Sequence, residues 1–311
     1  MYDEEANVER TVAAAKQALG PAQPLEIVIV DDGSTDRTRT LAEALSASDP
    51  SVRVLTHARN RGRGAALRTG FAGARGLFIA AIDADLSYDP ALILKMLEEL
   101  EDDPALDIVI ASPYVRGGGL ENVPAGRRLL SRWGNRLLAR AFGADIATVT
   151  GVFRTYRAEV LKEIELHSEG KRIHLEILAK ALASGFRAKE IPATLRARTG
   201  GMSKTKLAAT SWDHLLFAFE QRPTLLFGVL GALLTLSAAA IGIYLLVVFF
   251  QGGLNPERPL VNLAAVLFVV GIQFFVLGFI STQITSLRKE MYRSQRLARR
   301  LLQREEEHTP H

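Results

Sequence analysis

Two hydrophobic periods alternate along residues 1–205. Short apolar runs bounded by turn residues fall near Leu25–Val30, Val52–Thr56, Leu77–Ile82, Asp107–Ser112 and Ala188–Ile191, and these read as strands. Between them, apolar residues recur at helical spacing near Glu4–Leu19, Thr35–Ser46, Gly64–Ala74, Pro90–Leu100, Arg127–Phe142 and His174–Ser184. Strand and helix in regular alternation predict an α/β domain built on a mainly parallel sheet, with helices on both faces.

The pattern changes at Pro223. No charged residue occurs from there through Pro256, and a second uncharged stretch, Pro259–Leu287, follows a linker whose only charges are Glu257 and Arg258. A hydrocarbon core of ~30 Å needs ~20 apolar residues, so both stretches are long enough to span it, at about 225–250 and 260–285. The segment 206–222 carries Trp212, Leu215, Leu216, Phe217 and Phe219 and is predicted to be an interfacial helix. Four parts result: the α/β domain (1–205), the interfacial segment (206–222), two transmembrane helices (223–287) and a basic tail (288–311).

Charge orients this arrangement. Arg222 precedes the first span, and Arg288, Lys289, Arg293, Arg296, Arg299 and Arg300 follow the second, whereas the connecting loop is nearly neutral. The excess of basic residues predicts a multi-pass cell-membrane protein with both termini in the cytoplasm. With no amino-terminal signal peptide, the α/β domain is expected on the same side. The net charge of +4 comes partly from the tail, whose expected partner is the anionic headgroup surface. Nucleic acid is not an expected partner, for want of any recognition module. The chain has no cysteine, which excludes disulfides and thiolate metal sites.

Candidate chemistry sits at strand ends. The run Leu77–Ile82 stops at Asp83-Ala84-Asp85, and in open α/β sheets ligands lie beyond the carboxyl ends of strands. On an extended chain residues i and i+2 share a face, so both carboxylates are expected to reach one hard cation with positions left for phosphate oxygens. A solvated acidic turn is the alternative. The strand Leu25–Val30 ends in Asp31-Asp32-Gly33-Ser34-Thr35-Asp36, where Asp31 is placed to accept hydrogen bonds from a ribose or base and the later residues suit a helix cap. Asn60-Arg61-Gly62-Arg63-Gly64 follows the next strand; its glycines and arginines suit either an anion or a solvated helix entry.

These pieces, with Asp3-Glu4-Glu5-Ala6-Asn7, Arg127-Arg128, Thr150-Gly151-Val152-Phe153-Arg154, Glu190-Ile191-Pro192 and Arg198-Thr199-Gly200-Gly201-Met202-Ser203-Lys204, occur in an order that resembles a known family. The chain is similar to the family 2 glycosyltransferases of the GT-A fold, in the branch of dolichol-phosphate mannosyltransferase and the bacterial polyprenyl-phosphate glycosyltransferases. The resemblance implies a GT-A nucleotide-sugar-binding domain and inverting transfer of a hexose from a nucleotide diphosphate sugar, GDP-mannose or UDP-glucose, to a polyprenyl phosphate at the cytoplasmic face. It implies Mg2+ or Mn2+ on Asp83 and Asp85, with Asp85 the direct ligand. Ser87 stands where dolichol-phosphate mannosyltransferase has a Gln, which leaves a third ligand open. By motif position Tyr2, Glu4, Asp31, Ala84, Arg198 and Lys204 join the two aspartates around the nucleotide sugar. Arg127 and Arg128 match the acceptor-phosphate position, and Arg198 and Lys204 a pair that engages donor phosphates on a loop made flexible by Gly200 and Gly201.

Two further departures from the family are visible. The first strand of the family is absent, since Met1-Tyr2-Asp3-Glu4-Glu5 already belongs to the turn that follows it; a misassigned start is the favoured explanation, and the two strands that would flank it are expected to lack a partner. Ser112-Pro113-Tyr114 lacks an arginine that relatives place on the phosphates, with Arg116 a possible substitute. Asp145 and Glu176 are the carboxylates available to assist, while His167 and His174 read as surface or core residues. The implied partners are a nucleotide sugar, a polyprenyl-phosphate lipid and the membrane, and a homo-oligomer is compatible with the chain. Two alternatives stand beside this reading: transfer to another membrane lipid, whose neutral hydroxyl would need a base, and a catalytically inactive scaffold.

Overall fold

The computed structural model describes residues 1–20, 24–121, 123, 126, 131–132, 134–135, 146–196, 223–252 and 259–308. The chain divides into two compact units, Met1–His214 with Tyr292–His311, and Leu215–Met291.

In the first unit the chain runs α1 (Val8–Leu19), β1 (Ile27–Asp31), α2 (Thr38–Ser48), β2 (Val52–Thr56), α3 (Arg63–Gly73), β3 (Phe78–Ala81), α4 (Leu92–Asp102), β4 (Ile108–Ser112), β5 (Gly119–Glu121), β6 (Arg154–Arg157), α5 (Ala158–Glu163), α6 (Ile173–Ala183), β7 (Ala188–Pro192) and β8 (Thr194–Arg196). Strands β1 and β2 pair in parallel, with Ile27 opposite Val52. A separate four-stranded sheet has the order β3-β6-β4-β7. Here the structure corrects the expected sheet. Strand β6 lies antiparallel between β3 and β4, so the sheet is mixed, although β4 and β7 are parallel. A small parallel pair, β5 and β8, completes the set.

Two apolar cores follow from these layers. In one, Val8 and Val12 of α1 and Ala42 of α2 close over Ile29 and Val52. In the other, Ile93, Met96 and Leu100 of α4 recur at helical spacing and pack with Val109, Phe153 and Ile191. Helix α6 is buried around most of its circumference, with Ile173, Leu175, Ile177 and Leu178 fully covered.

Strands β1 and β3 each end their sheet, and among the described residues no strand pairing joins the two sheets. The open edge of β1 is met at its carboxyl end by Met1, whose backbone nitrogen donates to the Val30 carbonyl and whose carbonyl accepts from Asp32 N–H at 2.8 Å. Leu77, just before β3, is 83% exposed, and Ala80 within the strand is exposed as well.

Helix α7 (Pro223–Phe250) and helix α8 (Pro259–His308) carry the apolar stretches. Windows of mean hydropathy 2.5 and 2.7 make both long and apolar enough to cross a membrane. Only 6% and 11% of those windows are buried, whereas the core helix of a soluble protein would be mostly covered. Two basic residues at the far end of α8 are engaged within the first unit. Arg296 Nε donates to Glu163 Oε2 at 2.7 Å, its Nη1 to the Ser184 carbonyl at 2.9 Å, and its guanidinium stacks 3.5 Å from the centre of the Phe186 ring. Arg293 donates to the Ala183 carbonyl at 3.3 Å. Both cations cap the carboxyl end of α6, where unpaired carbonyls and the helix dipole favour positive charge.

Candidate active site

The acidic turn after β3 is built from several sides. The strand ends at Ala81, so Asp83 and Asp85 belong to the turn itself, and the strand-period argument for their common face does not hold. Leu86 adopts φ 53, a left-handed conformation uncommon for a branched side chain, and its N–H donates to the Asp83 carbonyl at 3.3 Å. Asp85 Oδ1 accepts from both the N–H and the hydroxyl of Ser87, at 3.0 and 2.6 Å. Ser87 thus orients Asp85. Thr11 of α1 donates to the Ala84 carbonyl at 2.5 Å, and Arg196 N–H of β8 donates to the Ser87 carbonyl at 2.9 Å.

Across from this turn stands the amino end of α3. The Arg63 guanidinium lies 3.7 Å from Asp83 Oδ1, with 45% and 27% of the two side chains exposed. Of the two arginines flanking Gly62, only Arg63 faces the acidic turn. Arg61 is instead 4.0 Å from Glu169, both side chains being exposed.

The loop carrying Arg63 hangs on a carboxylate whose role the sequence does not disclose. Asp32 is 3% exposed; its Oδ1 accepts from Arg61 N–H at 3.0 Å and lies 2.6 Å from His57 Nδ1, while its Oδ2 accepts from Gly62 N–H at 2.8 Å. His57 Nε2 lies 2.9 Å from the Thr69 hydroxyl, which joins the hub to α3. On the other side Gly64 N–H donates to the Glu169 carbonyl at 2.6 Å.

The remaining sequence candidates differ in their surroundings. Asp31 is 1% exposed, and its Oδ1 accepts from Ser34 N–H at 3.2 Å, so part of its capacity goes to its own turn. Tyr2 is 38% exposed, and Glu4 takes the Asn7 side-chain amide at 2.6 Å while its N–H donates to the Thr38 hydroxyl at 2.8 Å. Arg127, Arg128, Asp145, Arg198 and Lys204 lie outside the described residues. Glu176 is a structural holder: its oxygens accept from His167 N–H at 2.9 Å, Ser168 N–H at 2.8 Å and the Lys180 ammonium at 2.7 Å. Arg116 is exposed, and Pro113 buried.

Sequence reasoning also left Glu190 and Asn135 without a role. Glu190 accepts from Ala147 N–H and Thr148 N–H at 2.6 and 2.7 Å, and Asn135 Oδ1 accepts from Val149 and Thr150 N–H at 3.0 and 3.3 Å. Together they hold the loop before Gly151 beside the end of β4, where Ser112 and Thr148 hydroxyls meet at 2.6 Å.

His174, 3% exposed, has no hydrogen-bond partner for Nε2 among the described residues. Burial, reinforced by Arg154 and Arg63, pushes its pKa well below the ordinary 6.5. Burial acts to raise the Glu176 pKa, but hydrogen bonds from Lys180, Ser168 and His167 outweigh it and hold it below the ordinary 4.5. In both cases the unfolded chain binds a proton that the folded one refuses, so stability falls as pH falls, first below 6.5 for His174 and then below 4.5 for Glu176. The urea midpoint of the full chain in detergent is expected to drop between pH 7.5 and 5.5, by about 1 kcal/mol in stability, and His174→Gln to abolish most of that drop. Equal midpoints at the two pH values would contradict the buried neutral imidazole.

Comparison with known proteins decides the family. The sequence pattern of Glycosyl transferase family 2 matches residues 1–165, more than half of the chain. The chain belongs to that family. The transferase is 36% identical over 216 residues to dolichol-phosphate mannosyltransferase of Pyrococcus furiosus, an alignment covering 69% of this chain and 59% of that one. It is 34% identical to polyprenol monophosphomannose synthase of Mycolicibacterium smegmatis, over 65% of this chain and 77% of that one. It is also 31% identical to dodecaprenyl-phosphate galacturonate synthase of Rhizobium johnstonii, over 83% and 78%. Among solved structures, glucosyl-3-phosphoglycerate synthase from Mycobacterium tuberculosis, in complex with Mn2+, UDP and glucosyl-3-phosphoglycerate, superposes with a TM-score of 0.55 at 19% identity, covering 71% of the transferase and 77% of that chain. That likeness carries the GT-A fold and no more.

Proposed function

We propose that this glycosyltransferase moves a hexose, with inversion, from a nucleoside diphosphate sugar to a polyprenyl phosphate at the cytoplasmic face of a membrane. One observation carries the reading: the three relatives are named for dolichol, polyprenol and dodecaprenyl phosphates, while their sugars differ between mannose and galacturonate. What they share is the acceptor. GDP-mannose and UDP-glucose are both compatible donors.

The acidic turn supplies the donor end. Among the described residues no cluster of three or more metal-binding side chains occurs, so Asp83 and Asp85 provide few protein ligands. Such a donor set fits Mg2+ or Mn2+, which take oxygen ligands and leave positions for phosphate oxygens and water. A divalent cation there would neutralise charge developing on the leaving nucleoside diphosphate. Asp85, fixed by Ser87, offers its carboxylate in one orientation, and Arg63 sets a positive charge opposite Asp83. Tyr2, Glu4, Asp31, Ala84, Arg198 and Lys204 are the further donor contacts proposed by motif position.

The acceptor needs little activation. A phosphate monoester has its second pKa at ~6 and is ionised near neutral pH, so its attack requires fixed cations to offset repulsion more than it requires a base. Arg127 and Arg128 are proposed for that role. Arg127→Ala should lower kcat/KM for the lipid roughly ten- to hundredfold, the loss of one charge-assisted hydrogen bond of ~1.5–3 kcal/mol, with donor affinity little changed. Asp145→Ala should have far less effect. A dead Asp145→Ala beside a normal Arg127→Ala would favour a neutral hydroxyl acceptor and base catalysis.

Helices α7 and α8 supply the membrane anchor in this reading, and the basic flanks set both termini in the cytoplasm. A reporter active only outside the cytoplasm should work when inserted at Gly252–Asn255 and fail at either terminus; the reverse pattern would remove the catalytic unit from its nucleotide sugars.

A further inference from the structure

Arg63 is held as a ligand-facing residue would be. Its backbone is fixed on both sides, by Gly62 N–H on buried Asp32 and by Gly64 N–H on the Glu169 carbonyl. Gly62 lies at φ +93, and a Cβ there would come within 2.7 Å of the Glu169 carbonyl oxygen. Only glycine suits that conformation and that approach. An ordinary solvated helix start has no need of such a cradle.

Its side chain has not been spent on the fold. Arg68, on the same helix, donates to the Leu166 carbonyl at 3.0 Å, and Arg53 to the Gly73 carbonyl at 2.9 Å, both structural tasks. Arg63 stays half-exposed with its guanidinium 3.7 Å from Asp83. Ion pairs of that exposure and separation are weak and easily exchanged. The positive field of Arg63 reaches further into the unit: after burial, it is a charge that lowers the pKa of Lys171.

We propose that Arg63 is a donor-binding residue that changes partner, pairing with Asp83 while no donor is bound and turning to a phosphate oxygen of the nucleoside diphosphate once a divalent cation takes Asp83. This rests on the assignment of Asp83 and Asp85 to the metal-diphosphate site. The planar guanidinium suits either partner, carboxylate or phosphate, with paired N–H donors.

The exchange predicts effects of opposite sign. With the full-length protein in detergent, Mn2+ alone is titrated by electron paramagnetic resonance, and GDP and UDP are titrated calorimetrically in the presence of Mn2+. Arg63→Met should bind Mn2+ alone roughly two- to fivefold more tightly, because a competing cation has left Asp83. It should bind the cognate nucleoside diphosphate roughly ten- to hundredfold more weakly. Arg63→Lys should recover part of that loss, and Arg61→Met, an exposed neighbour, should match the parent in both titrations and in thermal unfolding. Unchanged diphosphate affinity in Arg63→Met, or Mn2+ affinity unchanged or weakened, overturns the exchange. Asp83→Ala separates the two levels: if it weakens Mn2+ binding while Arg63→Met changes nothing, only the role of Arg63 fails, whereas Mn2+ binding unaffected by Asp83→Ala overturns the metal site and the exchange together.

Discussion

Asp85→Ala is expected to abolish sugar transfer, by about two to three orders of magnitude or more, while the protein stays in the membrane fraction with its fold intact. The carboxylate lies in a turn outside the two apolar cores, so its loss removes no packed side chain. What goes is an oriented oxygen ligand beside the point where charge develops on the leaving diphosphate, and fixed charges at such points are among the largest single contributions to catalysis. Ser87→Ala, which frees Asp85 from its 2.6 Å hydrogen bond, should produce a smaller loss in the same direction. Transfer rates measured at saturating Mn2+, with and without chelator, check both. Full activity of Asp85→Ala in excess chelator would remove the metal from the account.

Asp32→Ala is expected to destabilise the catalytic unit by about 3–5 kcal/mol and to lower its unfolding midpoint by roughly 10 °C. The carboxylate is buried and serves Arg61 N–H, Gly62 N–H and the His57 ring at once. Truncation leaves buried donors with nothing in exchange, the costly side of hydrogen-bond energetics. Because the same bonds place Arg63, nucleoside diphosphate affinity should fall with stability. Circular dichroism melts of parent and variant decide; a difference below about 1 kcal/mol would mean that the loop from Arg59 to Gly64 is held by other contacts.

How legible these features are in the sequence depends on the range of the forces that make them. Strands β1, β2 and β4 announce themselves because Ile, Val and Leu crowd a few positions next to Gly, Asp or Pro, and the structure places them within two residues of the expected bounds. The acidic turn is legible for the same reason, since carboxylates directly follow an apolar run. Strand β6 is not. Its residues Arg154, Thr155 and Tyr156 are completely buried, yet an Arg-Thr-Tyr-Arg run carries no alternation that marks a strand. Arg154 is tolerated inside only because the His174 and Val149 carbonyls accept its N–H groups at 2.9 and 2.6 Å, partners that no local pattern reveals.

The helix starts tell a similar story. Residues Glu4–Asn7 have helical composition, but Asp3 at φ 50 and the Asn7 to Glu4 bond turn them into a loop tied to Ser34 and Thr38, so α1 begins at Val8. Asp31 and Asp32 stand side by side in the sequence, and only the return of His57 from β2 and of Gly62 from α3 distinguishes the hub from its neighbour. The apolar stretches of α7 and α8 are the most legible of all, because absence of charge over such lengths marks a long apolar helix directly in the sequence.

The central claim concerns what is joined to what. Membranes containing the full-length protein, given labelled GDP-mannose or UDP-glucose with Mg2+ or Mn2+, should place label in an organic-extractable product only when polyprenyl phosphate is added, and chelation should stop it. Label appearing in a neutral lipid without added polyprenyl phosphate, or undiminished by chelation, would contradict the account.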